Sequence, residues 1–549
     1  MIQQSSAPAA KTLEPEGDSG TAGAARAIRS ADRSAQFAAL AFVGVLGAAL
    51  ALFLVFGHGQ WFFLDDWDFL ANRRAGDLSD LLRPHNEHWS TLPILVYRAL
   101  WQLFGLRTYV PYQLVAILLH LTAAVLLRQV IRRAGVGPWI ATVAASLFAL
   151  FGAGDQDIVW AFQMAWSAAL VLGLTHLVLA DHDGPIDVRD WLGLLAGLAG
   201  LLCSGVAVTM VVVVGLSALI RRGWRAALFH TAPLGFVYLV WWVAFARSEY
   251  TAAEGSAGAV LRFVWNGVST TFGEIGQLPG VGIVVGVLLA VGLFLAWGGL
   301  DRDALRRRAA APGALLVGSV VFLAIAGVGR AADLGAEMAR ASRYLHVVAA
   351  LSLPAIGVAV DALMRRSRAI GSVAVAILLI GIPWNVDLLA NYDSRARDML
   401  GTPGFMLAIP RLPLATEVPR PVGPNPELAP EVTVGWLLDG VAAGRVPDPR
   451  LISPLTRANV AFRLSFLQAR RQAERSSCRT LREPVIRTVT NGQTFQIDGG
   501  PIHISPPGNR FIGVTYMPTS GHTFVVVRGP LTVSMSSADS SKGRAVLCG

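Results

Sequence analysis

Charged residues are scarce in this sequence. Asp, Glu, Lys and Arg make up 15% of its 549 residues, 54% are hydrophobic, and the mean hydropathy is +0.52. Apolar runs of about 20 residues recur between residues 37 and 389, and a helix of that length crosses the roughly 30 Å hydrocarbon core of a bilayer. The composition excludes a soluble globular fold and predicts an α-helical polytopic membrane protein.

Lysine is nearly absent, with Lys11 and Lys542 alone among 46 basic residues. Arginines therefore supply the net charge of +10, and they cluster at alternate ends of the apolar runs, as at Arg306, Arg307 and Arg308. The positive-inside rule requires this distribution, so the charge sets topology and indicates no nucleic-acid partner. The runs and the rule together predict about 11 transmembrane helices in a plasma membrane, with a cytoplasmic N-terminus and an extracytoplasmic C-terminus.

Cysteine is also rare, and its positions limit the possible crosslinks. Cys203 falls inside an apolar run, whereas Cys478 and Cys548 both lie in the polar C-terminal region. The last two are the pair that can form a structural bridge in an oxidising compartment. We therefore predict a disulfide between Cys478 and Cys548.

Two segments of the apolar region depart from a simple series of spans. Residues 191–220 are too long for one span and have Cys203, Ser204 and Gly205 at their middle. Arginines follow this run, so both of its flanks must be cytoplasmic, which predicts two short helices in a hairpin. Further on, a loop of about 30 residues after residue 246 is long enough to fold over a site.

Composition divides the chain into three parts. Residues 1–34 are small, polar and charged and predict a disordered cytoplasmic tail. Residues 35–390 hold the transmembrane domain, whose outer loop at residues 57–108 contains apolar residues at the spacing of an interfacial helix. Residues 391–549 are rich in proline and then in short alternating segments, with a hairpin signal at Asn491-Gly492. They predict a small extracytoplasmic α+β domain that is partly β.

The first outer loop is dense in acids, imidazoles and aromatics at residues 61–89. Asp65 and Asp66 lie where the chain leaves the bilayer after the first apolar run. A charged side chain costs roughly 2.5–3.5 kcal/mol at the bilayer centre, so adjacent aspartates here indicate water, a cation or a working role. The alternative is a solvated helix end with interfacial tryptophans.

Four segments, read together, resemble the membrane glycosyltransferases of the GT-C superfamily, of the actinobacterial type. They are LDDWDFL at residues 64–70, RPHNEHWSTLP at 83–93, LFGLRTYVPYQLVAILLHL at 103–121 and SRYLHV at 342–347. Enzymes of this superfamily move a sugar from a polyprenyl-phosphate donor to an acceptor on the outer side of the membrane. The resemblance implies a GT-C-like fold, and as partners a polyprenyl-phosphate sugar, membrane lipid and an envelope glycan, lipid or protein acceptor.

The resemblance also implies roles for the two aspartates. One acid of the pair Asp65 and Asp66 is expected to be the general base of an inverting transfer, and the other to bind sugar hydroxyls or a cation. A carboxylate suits this chemistry because a sugar that leaves phosphate develops oxocarbenium character.

His85, Glu87 and His88 follow Arg83-Pro84, where many members of the superfamily carry a plain Arg-Pro. These three side chains are candidates for contacts with the donor phosphate or sugar, or for a divalent metal. Their H-x-E-H spacing differs from the H-E-x-x-H zinc motif, so polar substrate contacts are favoured and the cofactor stays open.

Arg343 and Tyr344 fall at the outer edge of a later span. A bidentate guanidinium at this position can hold the polyprenyl phosphate as negative charge builds on the leaving group. The alternative is a snorkelling arginine beside an interfacial tyrosine. Gln163 and Trp166 have two interpretations of the same kind, because they either line a sugar cavity or bridge helices.

Two other functional classes remain open. A transporter or flippase for a lipid-linked glycan would share the many spans, but it is expected to show internal repeats and ionisable groups near the middle of the bilayer. Here no repeat of fixed period is found, and most ionisable groups lie in outer loops. An assembly scaffold that binds through its outer domain predicts instead that changes at Asp65 and Asp66 leave function intact.

Overall fold

The fold is known from a computed structural model that describes residues 19–247, 256–399, 403–449, 451–469, 478–481, 483–498, 500–509, 511–516, 522–538 and 546–548. Helices occupy most of the chain as far as residue 463. They are, in order, α1 (Ser19–Phe56), α2 (Leu78–Leu82), α3 (Thr91–Phe104), α4 (Val110–Arg133), α5 (Pro138–Ala149), α6 (Asp155–Val159), α7 (Met164–Ala180), α8 (Val188–Leu201), α9 (Val206–Arg222), α10 (Trp224–Trp241), α11 (Ala257–Gly276), α12 (Val281–Trp297), α13 (Arg302–Arg330), α14 (Ser342–Arg366), α15 (Arg368–Ile380), α16 (Ile382–Met399), α17 (Pro403–Ala408), α18 (Leu414–Glu417), α19 (Val434–Ala442) and α20 (Pro454–Arg463).

The described residues include seven helical segments that are long and apolar enough to cross a membrane, or up to nine spans if each of two bent helix pairs counts as one. The prediction of a polytopic α-helical membrane protein is therefore confirmed. The predicted number of about 11 exceeds the upper count of nine because it included the two arms of the hairpin as spans. Those arms, α8 and α9, have 14 and 17 residues, whereas the seven spanning segments have between 20 and 29.

Helices α8 and α9 are the predicted pair of short helices. The chain breaks between them at residues 202–205, where Cys203 to Gly205 end one helix and start the next. At the far end of the pair, Arg222 in the last turn of α9 contacts the buried Asp190 in the first turn of α8 at 2.5 Å. The start of α8 and the end of α9 therefore meet at one level, and the connection between them is a tip at the other end.

Two segments differ from the sequence-based expectation. Helix α1 begins at Ser19, inside the predicted tail of residues 1–34, whose first 18 residues lie outside the described part. Ala257–Gly276 is helix α11, although the sequence predicted a loop after residue 246. Its Phe263, Gly267 and Thr271 are buried and recur every four residues, so one stripe of α11 packs on the bundle while Trp265 stays exposed.

Helix α14 is the central helix of the bundle. Of its most apolar 18 residues, 83% are buried, the largest share among the spans. Its neighbours include α4, α5, α11, α12, α13 and α15. Arg343 and Tyr344 lie in its first turn, so the packing of the bundle fixes the backbone positions of these two residues.

Residues 57–108, the predicted first outer loop, share a hydrophobic core with the segment of residues 403–464. Phe62, Trp67 and Tyr97 of the loop are buried in one cluster with residues of that segment, among them Val434. Trp101 of α3 also stacks on Trp436 of α19, with ring centroids 4.6 Å apart. The helix α3 is confirmed, and the later segment packs against the loop that carries Asp65.

Two sheets follow the helices. Their strands are β1 (Phe466–Ala469), β2 (Cys478–Thr480), β3 (Val485–Val489), β4 (Thr494–Asp498), β5 (Ile502–Ser505), β6 (Val514–Tyr516), β7 (His522–Val526), β8 (Leu531–Ser537) and β9 (Val546–Cys548). One sheet has the order β1-β7-β4-β9-β2 and the other β3-β8-β5-β6. The predicted C-terminal β content is confirmed, whereas the boundary at residue 391 stays a prediction.

The predicted hairpin at Asn491-Gly492 is wrong. These residues connect β3 to β4, but β3 pairs with β8 in one sheet and β4 with β7 and β9 in the other. The left-handed backbone of Gly492, with φ of +79°, therefore serves a crossing between two sheets. Long-range pairing of the strands outweighs the local turn signal.

The predicted disulfide concerns two neighbouring strands. Cys478 in β2 and Cys548 in β9 face each other directly in an antiparallel pair. Directly opposed residues in such a pair have Cα atoms about 4.5–5.5 Å apart, which lies within the range of a disulfide. The side chains lie outside the described part of the structure, so the bond itself stays a prediction.

Candidate active site

A tight turn of the first outer loop carries three of the predicted site residues. His85 and His88 exchange two backbone hydrogen bonds of 2.9 Å, which places Asn86 and Glu87 at the centre of a two-residue turn. Both central residues have positive φ, 47° and 69°, as a type I′ turn requires. Asn tolerates this backbone, whereas Glu87 is strained by about 1–2 kcal/mol. The turn holds His85 and His88 side by side at the base of the loop.

A cavity of about 550 Å³ lies next to this turn. Six of the seven side chains that were predicted to act line it, namely Asp65, His85, Glu87, His88, Arg343 and Tyr344. Its remaining walls come from the residues just before and within α7, from the tip between α8 and α9, and from the C-terminal ends of α10 and α13. Groups far apart in sequence therefore meet around one space.

Asp65 is the accessible end of a chain of charged groups. Its side chain is 35% exposed, and its Oδ1 lies 3.4 Å from His85 Nε2. His85 Nδ1 in turn lies 2.7 Å from Asp68 Oδ2, and Arg73 Nε donates to the same oxygen at 2.9 Å. Arg73 is itself fixed by donation to the carbonyl oxygens of Arg83 and Pro84. The turn and the aspartates thus form one connected unit.

The chain of groups favours a protonated His85. Burial disfavours its charged form, but the hydrogen bonds and negative charges of Asp65 and Asp68 outweigh burial and raise the pKa of His85 to about 9. Burial likewise opposes ionisation of Asp68, yet His85 and Arg73 lower the pKa of its carboxyl to about 2. At neutral pH the imidazolium of His85 therefore lies between two carboxylates.

Asp66 has a different environment from its neighbour. Its side chain is fully buried and outside the cavity lining, and it accepts hydrogen bonds from the Phe63 N–H at 3.0 Å, the Trp160 Nε1–H at 3.3 Å and the hydroxyls of Tyr97 and Tyr109. Burial raises the pKa of this carboxyl to about 7, although the four donors act against it. Asp66 thus holds the loop to α3 and to the chain before α7, and Asp65 is the acid that faces the cavity.

Two arginines line the cavity, and one of them was not predicted. Arg343 contacts Gln156 Oε1 at 3.5 Å and lies 5.2 Å from the Tyr344 ring centre, with no carboxylate of the described residues within 4.0 Å. Arg330, at the end of α13, has its nearest carboxylate oxygen in Glu87 at 3.7 Å. A guanidinium without a close counter-charge beside a second one suits an anionic ligand. Arg330 directly follows a predicted span, which is the signal that could have identified it.

His88 stays neutral between these cations. Burial lowers its pKa to about 3, and the charges of Arg330, His85 and Arg343 act in the same direction. A Cβ atom on Gly205 would lie 2.9 Å from His88 Nδ1, so the glycine lets the tip between α8 and α9 approach the imidazole. The pairing of this tip with the outer loop could not be read from either segment alone.

Glu431 is a further acid that sequence reasoning missed. Burial raises its pKa to about 7, and the negative charges of Asp68 and Asp65 add to that rise. Its Oε2 is buried without a hydrogen-bond partner. The residue belongs to the segment that packs on the outer loop, and it brings that segment into the electrostatic environment of the cavity.

The described side chains include one group of three that could share a metal ion, His182, Asp187 and Asp190. This group follows the end of α7 away from the cavity, and Asp190 there already contacts Arg222 and His230. The residues His85, Glu87 and His88, for which a metal was one alternative, form no such group within the described chain.

No family model and no curated protein matches this chain. Among solved structures it is similar to ArnT from Cupriavidus metallidurans in the apo state, at 14% identity and a TM-score of 0.44, over 78% of this chain and 91% of that one. It is also similar to the same protein bound to undecaprenyl phosphate, at 14% identity and a TM-score of 0.42, over 72% of this chain and 84% of that one.

Proposed function

We propose that this protein is a membrane glycosyltransferase of the GT-C type, which transfers a sugar from a polyprenyl-phosphate donor to an extracytoplasmic acceptor with inversion. The observation that carries the proposal is the cavity of about 550 Å³ at the end of the helical bundle, lined by the carboxylate of Asp65 and the guanidinium groups of Arg330 and Arg343. A base and an anion site that share one space are what this transfer needs.

Asp65 is the proposed general base. Its carboxylate takes the proton of an acceptor hydroxyl while the hydroxyl oxygen attacks the anomeric carbon of the donor sugar. The bond from that carbon to the phosphate oxygen breaks, and the phosphate leaves with the electron pair. His85, 3.4 Å from Asp65 and anchored by Asp68, orients the base without competing for the proton, because it is itself protonated.

Arg343 and Arg330 are the residues proposed to bind the donor phosphate. Negative charge grows on the phosphate as it departs, and planar guanidinium groups bind phosphate oxygens in pairs. The nearby apolar wall from Phe322 and Ile325 of α13 and Trp242 after α10 offers room for the start of a polyprenyl chain. The lipid then stays in the bilayer while its sugar enters the cavity.

The site is proposed to face the extracytoplasmic side. The opposite end of α9 carries Arg221 and Arg222, and α4 ends with Arg132 and Arg133, which the positive-inside rule places in the cytoplasm. The acceptor would then be an envelope glycan, lipid or protein. This orientation follows from charge alone and is tested separately below.

The test is sugar transfer by the purified protein in nanodiscs. Asp65→Asn keeps the shape of the side chain and loses proton acceptance, so transfer is expected to fall by roughly 10²–10⁴-fold. Arg343→Lys should be impaired less than Arg343→Ala, because it keeps the charge and loses only the planar fork. Asp77→Asn, the same substitution at a partly exposed position of the same loop that does not line the cavity, is the matched control.

Wild-type turnover of Asp65→Asn would remove this residue as base and make Glu87 the next candidate. Movement of a lipid-linked glycan across the membrane without any sugar transfer would instead favour the transporter class.

A further inference from the structure

We propose, on the basis of the function proposed above, that the cavity floor selects an uncharged donor sugar, whose hydroxyl groups bind Gln163 and Thr209. The floor is the part of the cavity lining supplied by the chain at the start of α7 and by the tip and first turns of α9. Neither residue has a role in the proton transfer or the phosphate binding proposed above. Both carry a buried polar atom that has no hydrogen-bond partner among the described residues.

Gln163 lies in the short 3-10 turn directly before α7 and lines the cavity. Its side chain is 3% exposed, and its Oε1 makes no hydrogen bond with any described residue. An unpaired buried amide oxygen is costly, because folding removes its water and returns nothing. The oxygen is an acceptor, so the group it lacks is a donor such as a hydroxyl.

Thr209 in α9 has the same property, and it differs from other helical threonines of this protein. The hydroxyls of Thr122, Thr175, Thr231 and Thr271 each donate to the carbonyl oxygen four residues earlier, which is the usual arrangement inside a helix. The Thr209 side chain is 1% exposed and lines the cavity, and its Oγ1 has no partner among the described residues. Its hydroxyl is therefore available to a ligand in the cavity.

The charge pattern of the lining determines the class of sugar. The charged side chains around the cavity come from the outer loop, as Asp65 and Glu87 do, or from the outer ends of α13 and α14, as Arg330 and Arg343 do. In the described chain, α7 and α9 contribute no charged side chain to the lining, and Trp166 is the large side chain beside Gln163. An ammonium or carboxylate group on the sugar would be buried there without a counter-charge. Hydroxyl groups match the amide and hydroxyl that are present.

The experiment measures binding to the full-length protein in nanodiscs. The probes are undecaprenyl phosphate and its conjugates with glucose, mannose and galactose, which are uncharged, and with glucosamine and glucuronate, which are charged. The quantity compared is the gain in affinity that each sugar adds to undecaprenyl phosphate. A gain is expected for at least one uncharged sugar, and a smaller gain or none for the two charged ones.

Gln163→Leu and Thr209→Val should each reduce that gain by roughly 5- to 10-fold, the value of about one hydrogen bond. Their affinity for undecaprenyl phosphate itself should not change. Because the altered atoms have no hydrogen-bond partner in the described part of the chain, Tm should stay the same or rise, which a structural role would not allow. Gln129→Leu and Thr122→Val, at exposed positions of α4, are the matched controls. Gln163→Glu should favour the glucosamine conjugate.

The outcomes separate the two proposals. If undecaprenyl phosphate does not bind, the proposed function falls, and this inference falls with it. If it binds but no uncharged sugar adds affinity, or a charged sugar adds more, the inference alone is overturned. The same holds if the gain persists in both Gln163→Leu and Thr209→Val.

Discussion

Adjacent residues of the same type have different environments in this protein. Asp65 is 35% exposed and borders the cavity, whereas the neighbouring Asp66 is buried and surrounded by donors. Leu64, directly before them, has a positive φ of 47°, and this unusual backbone precedes the divergence of the two side chains. The sequence identified the pair but could not divide it, because the donors to Asp66 come from α3 and from the chain before α7.

The different environments of Asp65 and Asp66 predict that the same substitution affects stability at one position and sugar transfer at the other. Asp66→Asn places an amide N–H group among N–H donors from Phe63 and Trp160, so the free energy of unfolding should fall by about 1–3 kcal/mol. Asp65→Asn should lower it less, because the Asp65 side chain is partly exposed and only its contact with His85 is weakened, while most transfer is lost. Unfolding of both variants in the same detergent measures the difference. Equal stability of the two variants would contradict the structural role of Asp66.

His85 predicts a pH dependence. A histidine with a raised pKa contributes its ion pairs fully at acidic pH and loses them as the pH rises through the folded-state value, here about 9. Sugar transfer should therefore decline on the alkaline side near pH 9, when neutral His85 no longer holds Asp65. Asp68→Asn removes a hydrogen bond and a negative charge from His85, so the decline should move to lower pH by about one unit.

The pH profile of transfer measures this shift, with Asp77→Asn as the control that leaves it in place. An alkaline limb at the same pH in wild type and Asp68→Asn would show that another group titrates there.

At the scale of the element, the sequence predicted what depends on length, polarity and local charge. The apolar runs predicted the spans, and the arginines after α9 predicted the pair of short helices α8 and α9. Helix α11 was missed because its apolar stripe, with Phe263 and Thr271 among its members, is narrow and interrupted by exposed residues such as Trp265. The sheet pairing of β3 and β4 was missed for another reason, since it depends on strands far away in the chain.

The residues of the candidate site were also predictable only in part. Six residues that line the cavity were found because they lie at the outer ends of apolar runs, where polar groups signal a role. Thr209 and Arg330 were not found, because only the approach of α9 and α13 to the outer loop gives them a place in the cavity. Gln163 had two interpretations, and the unpaired state of its Oε1 is a tertiary property that no local pattern reports.

The pair β2 and β9 predicts a disulfide between Cys478 and Cys548, which are opposite each other in register. A crosslink that closes a loop of roughly 70 residues stabilises the folded state by about 4 kcal/mol in the chain-entropy model. Cys478→Ser should therefore lower the Tm of the protein, and reduction of the wild type should have the same effect. Peptide mass spectrometry without reduction detects the bond directly, and free thiols at both cysteines would contradict the predicted disulfide.

At the scale of the molecule, the two ends of the bundle have different chemistry. One end holds the cavity and is covered by the outer loop and residues 403–464, which share a hydrophobic core. The other end holds an ion network, in which the buried Asp190 contacts Arg222 and His230 while Arg221 contacts the exposed Asp183. Because the arginine pairs Arg132 with Arg133 and Arg221 with Arg222 lie at the end away from the cavity, only one orientation of the bundle satisfies the positive-inside rule.

That orientation is the last prediction, and it concerns the whole chain. Epitope tags inserted after Gly335, between α13 and α14, and after Gly549 should be reached by antibody in intact spheroplasts. A tag after Gly299, between α12 and α13, should be reached only after permeabilisation, because Arg306 and its neighbours mark that end as cytoplasmic. Gly299 and Gly335, after which the internal tags are inserted, have free space around the position of a Cβ atom, so the insertions should not disturb packing. Sugar transfer by each tagged protein is the control for folding. A reversed pattern would put the cavity in the cytoplasm and exclude an extracytoplasmic acceptor.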